Sequence, residues 1–392
     1  MRLILTLIFF AFVCIVKAEE VSVNFYSQQL RFVYSKDLLI KHRIRQKDKN
    51  IQAFYDKFNK SDYRKLLLQF KEYKDSFQLN DWFYYKLIQK TVDVIYYKKS
   101  SDYRAAVIWF LLLKAGYHAR LVYDSELSLY VYSQDKLYES YSFTYDKKKY
   151  YNLSYYDNIT LKRYKEVKFS AIKGIKNGKP FSFDIGNMPS LNKEQVIERE
   201  VTFAYKDQSY SFNIKINKSV IDIMKGYPKI ETQKYFDIPV SDPLYTSLII
   251  PLKELIKGKD EYEAVKLLLS FVRTTVRYKD DMEVYRSEKP MIPEEVLYYP
   301  HGDCEDKSAL FFYLVKEIMR LPMVVLAYPN HVNVGVALDK AYGNPVEYNA
   351  KKYSICDASF DTDKEKIGDS PIRDIYEPKV IYSYDPWSKT GE

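Results

Sequence analysis

The sequence of 392 residues is short of several residue types, and each shortage excludes something. With 11 glycines and 15 prolines it is neither collagen-like nor low-complexity. Three cysteines and four histidines include no close pair at ligand spacing, which argues against a structural zinc site. No block of five or more Lys/Arg occurs, although 61 basic residues outnumber 52 acidic ones for a formal charge of +9. A nucleic-acid binder concentrates its charge on one face or helix, so no nucleic-acid partner is expected. Past residue 18 no apolar run is long enough to span a membrane, and no transmembrane segment is expected in the mature chain. What is present is 47% hydrophobic and 29% charged, a globular composition that excludes disorder as the main state. The length predicts two or three domains.

The chain opens with Met1-Arg2, an apolar run from Leu3 to Val16 broken only by Thr6, and then Val16-Lys17-Ala18 before Glu19-Glu20. This pattern predicts a secretory signal peptide over residues 1–18 and a secreted or periplasmic protein. A lipoprotein would use Cys14, but Phe12-Val13 are too large for a good lipid-attachment signal. Three further regions are expected. Residues 19–160 start with strand-like alternation over 21–34, continue with helical periodicity over 50–98, and hold a helix over 102–115 ended by Gly116, with strands near 119–123 and 127–132. Residues 161–241 alternate and read as a β-rich linking module, with turns at Lys206–Ser209 and Asn217-Lys218. Residues 242–392 return to helices over 245–257, 261–277, 294–297 and 303–319, followed by strands at 323–327, 332–337 and 353–357.

The strongest local signal is Gly302-Asp303-Cys304-Glu305-Asp306. Asp303 is suited to cap the following helix, with Asp306 completing a capping box. Cys304 then occupies the first helical position, where orphan amides and the helix dipole lower a thiol pKa. The flanking acids push the other way, and the balance is open at this level. A nucleophilic thiol needs a base and an orienting group. His331 starts His331-Val-Asn-Val-Gly-Val336, where the valines share one strand face and His331 lies on the other. Asp357 closes Tyr353-Ser-Ile-Cys-Asp357. The alternative for Cys304 is a disulfide with Cys356. Asp303, Glu305 and Asp306 offer a calcium alternative, and no other cofactor or metal is expected.

Together with Phe271-Val272, Tyr278, Asp280 and Pro293-Glu294-x-x-Leu297, these motifs resemble the bacterial secreted members of the transglutaminase-like superfamily of papain-like cysteine enzymes. The resemblance covers Tyr262 to Phe360. It implies an α+β fold with the cysteine helix packed on an antiparallel sheet, Cys304 as nucleophile, His331 as base and then acid, and Asp357 as orienter. Many relatives carry a glutamine after the Phe-Val pair as an oxyanion donor. Arg273 stands there in this chain, so Arg273 and Asp303 are supporting candidates and the second oxyanion donor is open.

Residues 80–155 echo the same pattern in degenerate form. Ser101 stands at the cysteine position, Glu126 or a neighbour at the histidine position, and the aspartate position falls near Asn152. The expected function is therefore a secreted cysteine hydrolase acting on a peptide or amide bond of a protein or peptide substrate through a thioester. A cross-linking acyl transferase is one alternative. A non-catalytic envelope or surface binding protein built on such modules is the other.

Overall fold

The structure, a computed structural model, describes residues 18–26, 28–123, 126–154, 168–169, 178–190, 195–299, 301–360 and 366–388. Residues 1–17, nearly the whole of the expected signal peptide and Cys14 with it, lie outside these. The chain is α+β. Strand β1 (Ala18–Phe25) pairs antiparallel with β2 (Gln28–Ser35), so the first alternating stretch is a hairpin and not one strand. Helices α1 (Asp48–Phe58), α2 (Tyr63–Ser76), α3 (Asp81–Ile95) and α4 (Ser101–Lys114) follow. The last two start on side-chain caps, Asn80 accepting from the Phe83 N–H and Ser100 from the Tyr103 N–H. Beyond α4, Gly116 adopts φ +90°, a backbone shape that strains other residues. Strands β3 (Ala119–Tyr123), β4 (Leu127–Tyr132), β5 (Ser142–Tyr145), β6 (Lys148–Asn152) and β7 (Lys168–Phe169) form an antiparallel sheet ordered β5-β6-β4-β3-β7. Leu127, Leu129 and Val131 point into the core beneath α4.

The next stretch divides between two cores. Strands β8 (Val196–Tyr205) and β9 (Gln208–Asn217) pair along their length. Their inward residues Val201, Phe203, Ile214 and Ile216 belong to the second core, whereas Phe181, Phe183 and Ile185 belong to the first. Among the described residues the region has no core of its own, because a lone hairpin has one apolar face and must lay it on something. Asn217-Lys218 is not a turn. Asn217 caps α5 (Lys218–Met224) by accepting from the Ser219 N–H. A short helix α6 (Thr232–Tyr235) completes the crossing.

The second half begins with α7 (Asp242–Leu244), a π-helical turn over 245–249 and α8 (Ile250–Ile256). Then come α9 (Glu261–Thr275), β10 (Arg277–Tyr278), α10 (Asp281–Val284), α11 (Pro293–Tyr298), β11 (His301–Gly302) and α12 (Cys304–Met319). Strands β12 (Met323–Tyr328), β13 (His331–Val336), β14 (Val346–Tyr348), β15 (Lys351–Cys356) and β16 (Lys379–Tyr384) form a second antiparallel sheet, ordered β14-β15-β13-β12-β16. Helix α12 packs against α9, α11 and β13 and is buried on most sides. Val332, Val334 and Val336 meet it from the sheet. Burial of each such side chain contributes about 1.5–3 kcal/mol, so the start of α12 is held firmly over one corner of the sheet. No helix among the described residues is long and apolar enough to cross a membrane.

Candidate active site

Asp303 caps α12, accepting from the Glu305 and Asp306 N–H groups at 3.0 and 3.3 Å. Asp306 turns back to accept from the Asp303 N–H at 3.2 Å and from the Met291 N–H at 2.8 Å. Gly302 makes this fold-back possible, since a Cβ there would lie 2.9 Å from the Asp306 Cβ. Cys304 is the first helical residue. Its N–H has no partner among the described residues and is the orphan that an N-terminus leaves over. Cys304 is 8% exposed, and its thiol lies against the backbone of Val332, the neighbour of His331.

His331 starts β13 and Asp357 follows the last residue of β15, so both sit where the strands run out at one corner. The His331 Nε2 meets the Asp357 Oδ2 at 2.8 Å. The other Asp357 oxygen accepts from the Ser359 N–H at 2.9 Å and the Ser359 hydroxyl at 2.6 Å. The Asn333 side chain is a second hydrogen-bond partner of the imidazole. Arg273, 1% exposed, donates from Nε and Nη2 to the Asp357 backbone oxygen at 2.9 and 2.7 Å. It is a strut behind the aspartate. The buried Lys307 of α12 donates to the Val276 and Phe360 carbonyls at 2.7 and 3.3 Å, joining the cysteine helix to the segments leading to Tyr278 and from Asp357.

Burial works against charge on His331, but its hydrogen bond to Asp357 and that carboxylate's charge outweigh it and raise the imidazole pKa. Burial likewise works to raise Asp357, and the His331 partnership overcomes it to hold the acid below its usual range. Both shifts stabilise the imidazolium that forms against the Asp357 carboxylate once His331 takes up a proton. Cys304 goes against the helix-end expectation. Burial first, then the charge of Asp303, with further contributions from Glu305 and Asp357, pushes the thiol well above its ordinary value. Burial, with the acids adding to it, outweighs the helix end and favours the thiol form of Cys304. Burial and neighbouring acids also lift Glu305 to about 7.

The structure brings Cys304, His331 and Asp357 to one corner. It leaves Cys304 and Cys356 as free thiols, with Cys356 fully buried in the core behind Asp357. Of the three acids considered for calcium, Asp306 is consumed by backbone N–H groups. Among the described residues the acids that converge are Asp281, Glu288 and Asp303, their oxygens within 4.8 Å of one another. Tyr278 carried a motif but no role in the sequence reading. The β10–β11 pairing places it opposite Gly302, and burial together with the charges of Cys304, Asp303 and Asp357 raises its phenol to about 12. Its phenol therefore stays protonated at neutral pH, within electrostatic reach of Cys304. Only the tertiary pairing reveals this, because Tyr278 and Cys304 are 26 residues apart.

The first half repeats the plan. Strand orders match one for one, and α3 and α9 have the same length. Leu129 lies opposite Leu121 as Val334 lies opposite Val325. Leu153 bonds Leu129 where Cys356 faces Val334. By this register Ser101, Glu126 and Ser154 occupy the positions of Cys304, His331 and Asp357, and the third position moves from the expected Asn152 to Ser154. A cavity of about 180 Å³ remains there, lined by Ser101, Ser154, Arg104 and Asp93 among others. No model of a known protein family matches the chain, and no curated protein matches it in sequence.

Proposed function

We propose that the chain is a secreted, transglutaminase-like cysteine hydrolase that cleaves a peptide or amide bond of a protein or peptide through a thioester on Cys304. The observation that carries this reading is the His331–Asp357 pair at 2.8 Å, standing next to a thiol at the first position of α12. In the reaction the Cys304 thiol gives its proton to His331 as sulfur attacks the carbonyl carbon. The tetrahedral oxyanion takes hydrogen bonds from the Cys304 N–H and the Tyr278 phenol. Collapse breaks the C–N bond, and His331 passes the proton to the leaving amine. Water then gives a proton to His331 and attacks the thioester, which releases a carboxylate and restores the thiol. An amine in place of water gives acyl transfer by the same steps. Because the resting thiol is neutral, proton transfer accompanies attack, and the site does not store a thiolate.

The test is mass spectrometry of the chain quenched during turnover of a peptide mixture. An acyl adduct on Cys304 and loss of turnover in Cys304→Ala are expected. One observation favours the non-catalytic binding reading, namely a thiol that is nearly closed off and held protonated. Cys304→Ala with unchanged partner binding and no adduct in the parent protein would establish that reading instead.

A further inference from the structure

Helix α2 presents a stripe that the site above does not use. Arg64, Leu67, Leu68, Lys71 and Asp75 recur at helical spacing along one face. At 1.5 Å per residue the eleven steps from Arg64 to Asp75 span about 16 Å. This face is one wall of a cavity of about 520 Å³, within the size range of ligand sites. The opposite wall is the end of α4 with Tyr117 and Lys179.

The charges in this groove do not balance. Lys71 pairs with Asp75 at 3.2 Å and Lys74 with Asp81 at 2.6 Å. Among the described residues, Arg64, Lys114 and Lys179 pair with no carboxylate. Lys114 donates to the Tyr55 hydroxyl at 3.0 Å, and Lys179 stands 4.2 Å over the Tyr117 ring. Lys114 also lies 5.6 Å from the Tyr63 ring, which puts it at the Arg64 end, whereas Lys74 donates to the Tyr117 hydroxyl at the other. Uncompensated cations thus mark both ends. Between them Leu67 and a 59%-exposed Leu68 give an apolar middle.

We propose that this groove binds an extended acidic peptide segment with carboxylates at its two ends and an apolar side chain between them. The span suits the partner, because about five extended residues cover 16 Å at 3.3 Å each. The end-to-end placement of charge separates this ligand from a compact phosphate, which would need the cations gathered at one point. The inference stands apart from the hydrolase reading, since no group in the groove belongs to the Cys304 corner.

The test uses the full chain carrying Cys304→Ala, which removes turnover, and fluorescence anisotropy of a labelled Glu-Asp-Leu-Glu-Glu peptide. Saturable binding that weakens with salt is expected. The exposed pair Arg64→Glu/Lys179→Glu should weaken it at least about tenfold with an unchanged thermal melt, since two attractions become two repulsions. Leu68→Ser should weaken it about threefold, the loss of one partly exposed apolar contact. Three results would each overturn the proposal: no saturable binding, equal binding of Gln-Asn-Leu-Gln-Gln, or tighter binding of a single-stranded oligonucleotide of the same charge.

Discussion

The two halves of the molecule share a strand order and a helix entering at the same corner, yet they differ in what that corner holds. In the second half Asp303, Cys304, His331 and Asp357 meet there, with Arg273 behind them. In the first, Ser100, Ser101, Glu126 and Ser154 take those places. Counting from the helix start, Asp93 stands where Arg273 does, and it pairs with Arg104 at 2.9 Å. The apolar faces of the strands and the caps of the helices are alike in the two halves, and these build the fold. The polar groups at the corner are free to change because the sheet does not depend on them. The same strand order and helix entry thus carry two different sets of polar groups at one corner.

The sharpest break in this comparison is expected from paired deletions. Cys304→Ala should lower turnover by at least about 10³-fold, whereas Ser101→Ala should leave it unchanged. A loss of activity in folded Ser101→Ala would mean that the first half is not silent. Asp357→Asn is expected next, at about 10²–10⁴-fold in turnover with the melting temperature little changed, because an amide cannot stabilise the imidazolium. Ser154→Ala in the other half should not alter turnover at all. Unchanged turnover in Asp357→Asn would move the orienting role to another group.

The third contrast concerns stability. Arg273→Met leaves a buried carbonyl without its two donors and should cost about 1–3 kcal/mol by denaturant unfolding. Asp93→Asn removes a partly exposed ion pair and should cost about 1 kcal/mol or less. Equal losses would mean that Arg273 is no strut. A fourth, smaller effect is expected in thiol reactivity. Iodoacetamide should label resting Cys304 slowly below pH 8.5, and Asp303→Asn, which keeps a capping side chain, should speed labelling several-fold by removing the nearest negative charge. Rapid labelling of the parent protein at pH 7 would show a stored thiolate and overturn the concerted proton transfer.

The smallest effects distinguish the halves by pH. Burial lowers His118 to about 4 from an ordinary 6.5. The unfolded chain takes up a proton that the folded one refuses, so this contribution is present above pH 6.5 and is lost as pH falls toward 4. Glu305 and Glu295 behave in the opposite way, with burial pushing both to about 7 from 4.5. Their contribution is present below pH 4.5 and is lost as pH rises through 7. Hydrogen exchange followed by segment should show β3 protecting less well in acid and the start of α12 protecting less well near neutrality. The same slope in both segments would contradict this assignment.

The cap of α12 was legible in the sequence because a capping box is made by side chains three residues apart. Strands β3 and β4 were legible because alternation and Gly116 mark them locally. The rest depended on distance along the chain. The split of the described residues 178–190 and 195–241 between two cores follows from where the β8–β9 hairpin lies down, which no period encodes. Strand β16 was missed because it pairs with β12 more than fifty residues earlier. Arg273 read as a departure from a pattern, and only its contact 84 residues away shows that it supports Asp357. The thiol's raised pKa comes from burial, which the helix-end argument on sequence does not contain.

Arg273 and Lys307 grip carbonyl oxygens at 357, 276 and 360, and every residue type supplies a carbonyl. For protein engineering this makes the corner a mount whose fastenings do not read the side chain being mounted. Position 357 can present a different group at the same place in space, and a library varied there would sample new chemistry on an unmoved frame.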